Sequence, residues 1–402
     1  MRIGIIHIYE FPQGMAPTVR ISSYCKGLSE RGHDCDIVSI VPKRGREPLS
    51  AKLEYGTYHY FSYQTTSLNP IIRSLDYRIK KWKCRLNAVR YIKHQHQIYP
   101  YDCLIVSYDA LLELYATIPF FHKLNTTVIM IADEYPYPIR IKLKNSLSKF
   151  RILNYKFLNR FVDGRILMTE KLKMFFDEEI TKKPSTIVST IVNTDMFIKA
   201  PCSDRNNEEY LCYMGNMELA KDNVDNIIKA FDLIKNKYPK LKLFLFGTPS
   251  KKDRAILNNL IDGLGLCDRV IIKGRVPFEQ VPSILKSAKI LVASQPKTKR
   301  AEGGFPTKMG EYFMTGVPAI LTDVGEIHKY VKDSVNAYLV DPDNSQQYAE
   351  KLCFILDNYP LAIATASRAR EMILNNFSCE SAAIRIESFI QQIKDEKYNF
   401  SR

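Results

Sequence analysis

Apolar positions along this 402-residue chain fall into two alternating textures. Short apolar runs are separated by longer stretches in which apolar residues recur every three or four positions. The runs read as buried strands and the longer stretches as helices laid over them. In the first half, residues 3–8, 35–41, 103–106, 127–131 and 164–168 read as strands, and 18–32 as a helix. A second series follows, with strands at 210–214, 242–246, 270–272, 290–293, 318–321 and 337–340. Helices at 224–237, 252–264, 282–287 and 307–314 alternate with them. Such alternation predicts α/β architecture with parallel sheets built from βαβ units. Two series in tandem predict two Rossmann-like domains, 1–198 and 199–378, facing a central cleft. A last helix, near 379–394 of the closing segment 379–402, is expected to pack back on the first domain.

The charge balance changes this picture in one respect. The chain has 58 Lys+Arg against 43 Asp+Glu, a net charge of +15. Residues 1–195 hold 29 basic and 18 acidic residues, so the excess sits in the first half, which should meet the more acidic partner. The nine cysteines form no C-x-x-C pair, and the closest, Cys25/Cys35 and Cys202/Cys212, are ten apart. This spacing predicts reduced thiols rather than a zinc or disulfide framework. The chain has no long apolar run for a membrane span, and its first residues enter a strand without a signal-like apolar region. The expected location is the cytoplasm.

The densest candidate chemistry is Glu302-Gly-Gly-Phe-Pro-Thr-Lys-Met-Gly-Glu311. Two glycines and a proline precede a helix expected to begin near Thr307, where backbone N–H groups and the helix dipole favour a phosphate. Thr307 is a candidate helix cap or phosphate donor. Glu311 lies one turn further on, facing the same way as Thr307 and Lys308. A carboxylate there suits the two hydroxyls of a ribose. Tyr213-Met-Gly-Asn-Met-Glu-Leu-Ala-Lys221 runs from a strand through a glycine loop, and places Lys221 where a point charge would meet a diphosphate. Asp341-Pro-Asp343 reads as a turn rather than a metal-binding pair.

In this order these segments resemble the C-terminal domain of the family 4 glycosyltransferases, which have the GT-B fold. Met214-Gly215 through Lys221 is similar to the family's glycine–lysine segment. Phe246-Gly247 is similar to its strand–glycine turn, and Lys273-Gly274-Arg275-Val276 to its nucleobase loop. Glu302 and Glu311 resemble its paired glutamates, although eight residues separate them where the family has seven. Asn216 stands where the family has an arginine, supplying an amide without charge. Gly316-Val-Pro-Ala-Ile-Leu-Thr322, Val324-Gly-Glu-Ile327 and Asn336-Ala-Tyr-Leu-Val-Asp-Pro342 match the strands and loops that follow.

The resemblance implies retaining transfer of a sugar from a nucleoside diphosphate to an acceptor hydroxyl, as in bacterial surface polysaccharide, lipopolysaccharide or glycolipid synthesis. It implies catalytic roles for Lys221, Glu311, Glu302 and Asp133. Donor contacts are implied from Gly14, Gly215, Asn216, Lys221, Gly274, Arg275, Val276, Gly304, Phe305, Pro306, Thr307, Lys308 and Glu311. A diphosphate oxygen can take the acceptor's proton, so no dedicated base is required, and no cofactor or metal is expected. With Asn216 uncharged, Lys221 should carry more of the neutralisation, helped by Lys308 or Arg275.

The acceptor is expected on the first domain, a glycan or lipid-linked glycan. Gly14 follows the first strand, and Asp133 and Glu134 follow another, at the end where open α/β sheets bind ligands. Relatives carry a histidine in the latter region. Residues 73–93 hold eight basic residues and one acid, with Leu75, Ile79, Trp82, Leu86 and Val89 forming one apolar seam. Residues 140–160 add seven basic residues and no acid. Both suit an anionic membrane surface, on the inner face of the plasma membrane; alternatively the seam packs on the core. Rival functions are a nucleotide-sugar epimerase of the same fold, a catalytically inactive scaffold, or a basic nucleic-acid binder. No nucleic-acid reader motif is present, so no nucleic acid is expected.

Overall fold

A computed structural model describes residues 1–12, 14, 16–44, 49–64, 69–108, 111–136, 146–201, 208–305 and 307–400. The chain divides into two compact units, Met1–Ile191 with Cys379–Arg402, and Val192–Ser378. The first break falls seven residues before the expected 198/199. The helix Thr194–Lys199 therefore belongs to the second unit, where Phe197 is buried.

The first unit carries the strands β1 (Arg2–His7), β2 (Asp34–Arg44), β3 (Leu49–Leu53), β4 (Gly56–Tyr63), β5 (Cys103–Ser107), β6 (Thr127–Ala132), β7 (Gly164–Leu167) and β8 (Ser185–Ile187). They form one sheet in the order β3-β4-β2-β1-β5-β6-β7-β8, parallel except for the β3/β4 hairpin. Its helices are α1 (Ala16–Glu30), α2 (Pro70–Ile98), α3 (Leu111–Lys123), α4 (Ser146–Leu158), α5 (Glu170–Phe175) and, from the chain's end, Cys379–Phe400. β1 and β6 are buried along their whole length, as parallel strands covered on both faces must be.

On α1, Ile21, Tyr24, Cys25 and Leu28 recur at helical spacing and face the core. The Cys379–Phe400 helix buries Ile386, Phe389, Ile390 and Ile393 in that same core, each worth about 2 kcal/mol. Its close approach to α1 depends on Gly27, where an added Cβ would lie 2.1 Å from the Cys379 carbonyl oxygen. The described cysteines carry no disulfide.

In the second unit, α6 (Thr194–Lys199) leads into β9 (Tyr210–Met214), α7 (Leu219–Asp222), α8 (Val224–Ile234), β10 (Lys242–Phe246), α9 (Lys251–Gly263) and β11 (Val270–Gly274). There follow α10 (Val281–Ser287), β12 (Ile290–Val292), α11 (Lys299–Gly303), α12 (Lys308–Met314), β13 (Ala319–Thr322), β14 (Tyr338–Val340), α13 (Ser345–Asp357) and α14 (Tyr359–Asn376). The strand order β11-β10-β9-β12-β13-β14 is parallel throughout and reverses direction beside β9. The Val192 N–H donates to the Phe377 carbonyl at 2.9 Å, closing the two ends of this unit on each other.

Two sequence expectations change. The apolar seam of the basic helix is divided: Val89 is buried and Leu86 half-buried, whereas Leu75, Ile79 and Trp82 are exposed. A 29-residue helix is about 43 Å long, more than the eleven residues of β2 can cover at about 36 Å. The segment expected as one helix from 307 is preceded by a separate short one, α11, which the Gly303-Gly304 pair ends. Residues 140–145 of the second basic stretch lie outside the described residues. No helix among the described residues is long and apolar enough to cross a membrane.

Candidate active site

The candidate site gathers at the carboxyl ends of β9, β10 and β11. Past the strands, the Gly215 N–H donates to the Phe246 carbonyl at 2.9 Å and the Gly247 N–H to the Gly274 carbonyl at 2.7 Å. Gly247 has φ +129°, and an added Cβ there would meet the Gly215 oxygen at 1.7 Å. Only glycine lets these two loops touch. The loop after β9 is pinned by buried Met217, whose N–H donates to the Tyr213 hydroxyl at 3.4 Å. Asn216 is exposed on that loop, and Lys221 is half-buried on the single turn of α7.

Three links join this loop to α11 and α12. The Met214 N–H donates to the Tyr312 hydroxyl at 2.9 Å, and Arg300 pairs with Glu218 at 3.1 Å. Lys308 forms a short ion pair with Asp222, and its ammonium lies 3.2 Å from the Tyr213 hydroxyl. Burial raises the Asp222 carboxyl, but Lys308, with smaller contributions from the Lys221 charge and the Tyr213 hydroxyl, outweighs it and holds the group below its ordinary range. A Cβ on Gly215 would meet Lys308 Cε at 2.5 Å, so that glycine makes room for the pair. Lys308 therefore brings little net charge to a ligand, contrary to the helper role expected of it. None of Asp222, Tyr213, Tyr312 or Arg300 stands out in the sequence, because their partners lie 82 to 98 residues away.

Glu311 differs from its surroundings. It is half-buried, and its carboxyl makes no hydrogen bond or ion pair with a described residue. Burial pushes it up to about 7, against a smaller opposing pull from Lys308. Thr307 precedes α12 in helical conformation, and its hydroxyl does not cap the helix; the capping alternative is thereby removed. Gly304 continues from the end of α11, and Phe305 is buried edge-on against Tyr330 at 5.3 Å, anchoring the segment. Pro306 lies outside the described residues.

Glu302 stands on α11 and pairs with Lys299 at 2.9 Å. That helix ends at Gly303-Gly304 and is separate from the one that carries Glu311. Gly274 has φ +80° and ends β11, Arg275 is exposed and Val276 is half-buried.

Two expected site residues belong to the first unit. Asp133 pairs at 2.6 Å with the buried guanidinium of Arg20, which also donates to the Tyr24 hydroxyl and the Val188 carbonyl. This carboxylate compensates a buried cation. Gly14 sits where a Cβ would meet the Thr18 hydroxyl at 2.4 Å. That hydroxyl donates to the Glu10 carbonyl and lies 3.1 Å from His7 Nε2. Burial lowers His7 to about 4 and keeps it neutral.

Comparison with known proteins bears on both units. Residues 197–372 match the family described as Glycosyl transferases group 1. A poly(ribitol-phosphate) alpha-N-acetylglucosaminyltransferase of Staphylococcus aureus is 24% identical over 223 residues, 55% of this chain and 42% of that protein. The chain thus spans less than half the length of that relative. Among solved structures, the sucrose-phosphate synthase of Thermosynechococcus elongatus matches with TM-score 0.73 and 16% identity, over 98% of each chain. HepE of Anabaena, solved with UDP, matches with TM-score 0.69 and 14% identity, over 98% of this chain and 100% of its own.

Proposed function

Because the chain belongs to the group 1 glycosyltransferases and has their GT-B fold, we propose that it moves a sugar from a nucleoside-diphosphate donor to an acceptor hydroxyl, retaining anomeric configuration. The observation that carries this reading is Glu311: a half-buried carboxylate, without a described partner, at the carboxyl ends of a parallel sheet. A vicinal diol of the donor's ribose would satisfy it. The UDP in the HepE structure supports such a ligand.

The barrier to transfer is charge separation as the diphosphate leaves and the sugar becomes oxocarbenium-like. Lys221, half-buried on α7 beside the loop after β9, is the cation assigned to the departing diphosphate, together with backbone N–H groups near residues 303–308. This is electrostatic stabilisation that grows in the transition state. Arg275 and Val276 would border the nucleobase. Glu302, held by Lys299, would reach the donor sugar from α11. A diphosphate oxygen takes the acceptor proton, so no further base is assigned.

The acceptor proposed is a glycan or lipid-linked glycan of a bacterial surface polymer, bound by the first unit with the chain peripheral to the inner membrane face. The Staphylococcus aureus relative, by its name an N-acetylglucosaminyltransferase of poly(ribitol-phosphate), supports a polymeric acceptor. A thermal-shift panel of UDP-, GDP-, ADP- and dTDP-sugars tests the donor half. One sugar should raise the wild-type melting temperature and leave Glu311→Gln unmoved. A panel with no shift, or equal shifts in both proteins, contradicts the assignment.

A further inference from the structure

The first half of α2 is exposed where a globular protein would cover it. Ile71, Leu75, Ile79 and Trp82 succeed one another at 4-4-3 spacing, hence on one face, and each is more than half exposed. Arg73, Arg78 and Lys83 are exposed among them, and Asp76, the acid within that stretch, is taken by Lys80 at 2.6 Å. Helix α4 repeats the arrangement. Phe150 and Leu153 are more than half exposed on it, and Lys156 is exposed three positions beyond Leu153.

Chain topology brings the two stripes to one end of the unit. Both helices run back from the carboxyl end of a strand, α2 after β4 and α4 after β6, so their first turns lie at the carboxyl edge of the sheet. Both also pack against α3, through Arg85–Glu113 on one side and the Tyr115–Phe157 stack on the other. That edge carries the loops with Gly14 and Asp133.

We infer that this apolar and basic edge docks on an anionic lipid bilayer, the stripes entering the headgroup boundary and the cations meeting lipid phosphates. The charge complementarity decides the occupant. A second copy of the chain would set net-positive edges against each other, whereas an anionic surface attracts both stripes. Resting on the proposed transfer reaction, the inference adds its acceptor class: a lipid-linked glycan whose hydroxyl is presented at the membrane surface.

Trp82 is the only tryptophan in the sequence, so the emission of the full-length chain reports on the stripe directly. Vesicles of phosphatidylcholine with phosphatidylglycerol should shift that emission to the blue, and brominated lipid should quench it. Phosphatidylcholine alone should do neither. Arg78→Ser with Lys83→Ser should weaken vesicle binding roughly 25-fold, about fivefold per cation. Leu75→Ser with Ile79→Ser should abolish the quenching while leaving the far-ultraviolet dichroism of the chain intact.

No blue shift with anionic vesicles, or an equal shift with neutral ones, overturns the inference. So does emission already blue in free protein and dependent on its concentration, which would assign the stripe to a second copy. The donor reading stands apart from this result. A chain that binds vesicles but no nucleotide sugar refutes transfer and not docking, and the reverse outcome refutes docking alone.

Discussion

The loops at the carboxyl ends of the two sheets treat their carboxylates in opposite ways. After β6, Asp133 is committed to a buried arginine that also holds Tyr24 and the Val188 carbonyl. Beside β9, Asp222 is likewise committed to Lys308, but Glu311, one turn along the same helix, is left half-buried with its carboxyl raised to about 7. Folding gains from the first two carboxylates and is opposed by the third. A group kept against the interest of stability points to a ligand. The residue types are alike; the partners separate structure from function.

Substitutions can break this contrast, and the largest effect is expected at the proposed diphosphate cation. Lys221→Ala should lower kcat/KM about a hundredfold, equivalent to about 3 kcal/mol of transition-state stabilisation, in an assay of nucleoside-diphosphate release. A rate within a few-fold of wild type would remove Lys221 from the mechanism. Asp133→Ala should destabilise the first unit by about 3 kcal/mol, because it strands the buried Arg20 charge. Urea unfolding measures that loss, and an unchanged midpoint would show that the pair is not structural.

Gly27→Ala should cost about 2 kcal/mol by forcing the Cys379–Phe400 helix away from α1. In a chain truncated before Cys379 the cost should vanish, leaving alanine favoured by up to about 1 kcal/mol through helix propensity. The smallest effect has the opposite sign. Glu311 holds its proton more tightly folded than unfolded, so between pH 4.5 and about 7 the unfolded chain ionises first and stability falls as pH rises. Glu311→Gln removes that penalty and should stabilise the protein by about 1 kcal/mol at pH 8, a figure reduced for the carboxyl's solvent contact. A gain at pH 8 that vanishes at pH 4 is the signature; destabilisation at pH 8 would mean that Glu311 has a structural partner.

Most of the strands were legible because parallel strands buried on both faces read as unbroken apolar runs, as residues 210–214 and 242–246 do; their order in each sheet was not. The β3/β4 hairpin was missed: Gly56–Tyr63 mixes tyrosines and Phe61 with Thr57, His59 and Ser62, a texture unlike the buried runs around it. Helices α13 and α14 were missed too, although Asn344 caps the first by accepting the Gln347 N–H at 3.0 Å. Spacing alone could suggest one seam on α2 but not where it leaves the core, since that depends on how far the sheet extends beneath it. In the site, Glu311 and Lys221 could be singled out from local motifs. The neutralisation of Lys308 could not, because Asp222 lies 86 residues away and meets it only when β9 and α12 pack together.

The central claim is that Glu311 is held ready for the donor, and its affinity for the responsive nucleotide sugar as a function of pH tests this most directly. Titration calorimetry on wild type should give affinity that is constant above about pH 7 and falls close to tenfold per unit below it, as the carboxylate that accepts the ribose hydroxyls is protonated. Glu311→Gln should bind at least tenfold more weakly at pH 8 and show no such fall. Identical pH profiles for the two proteins would contradict the account.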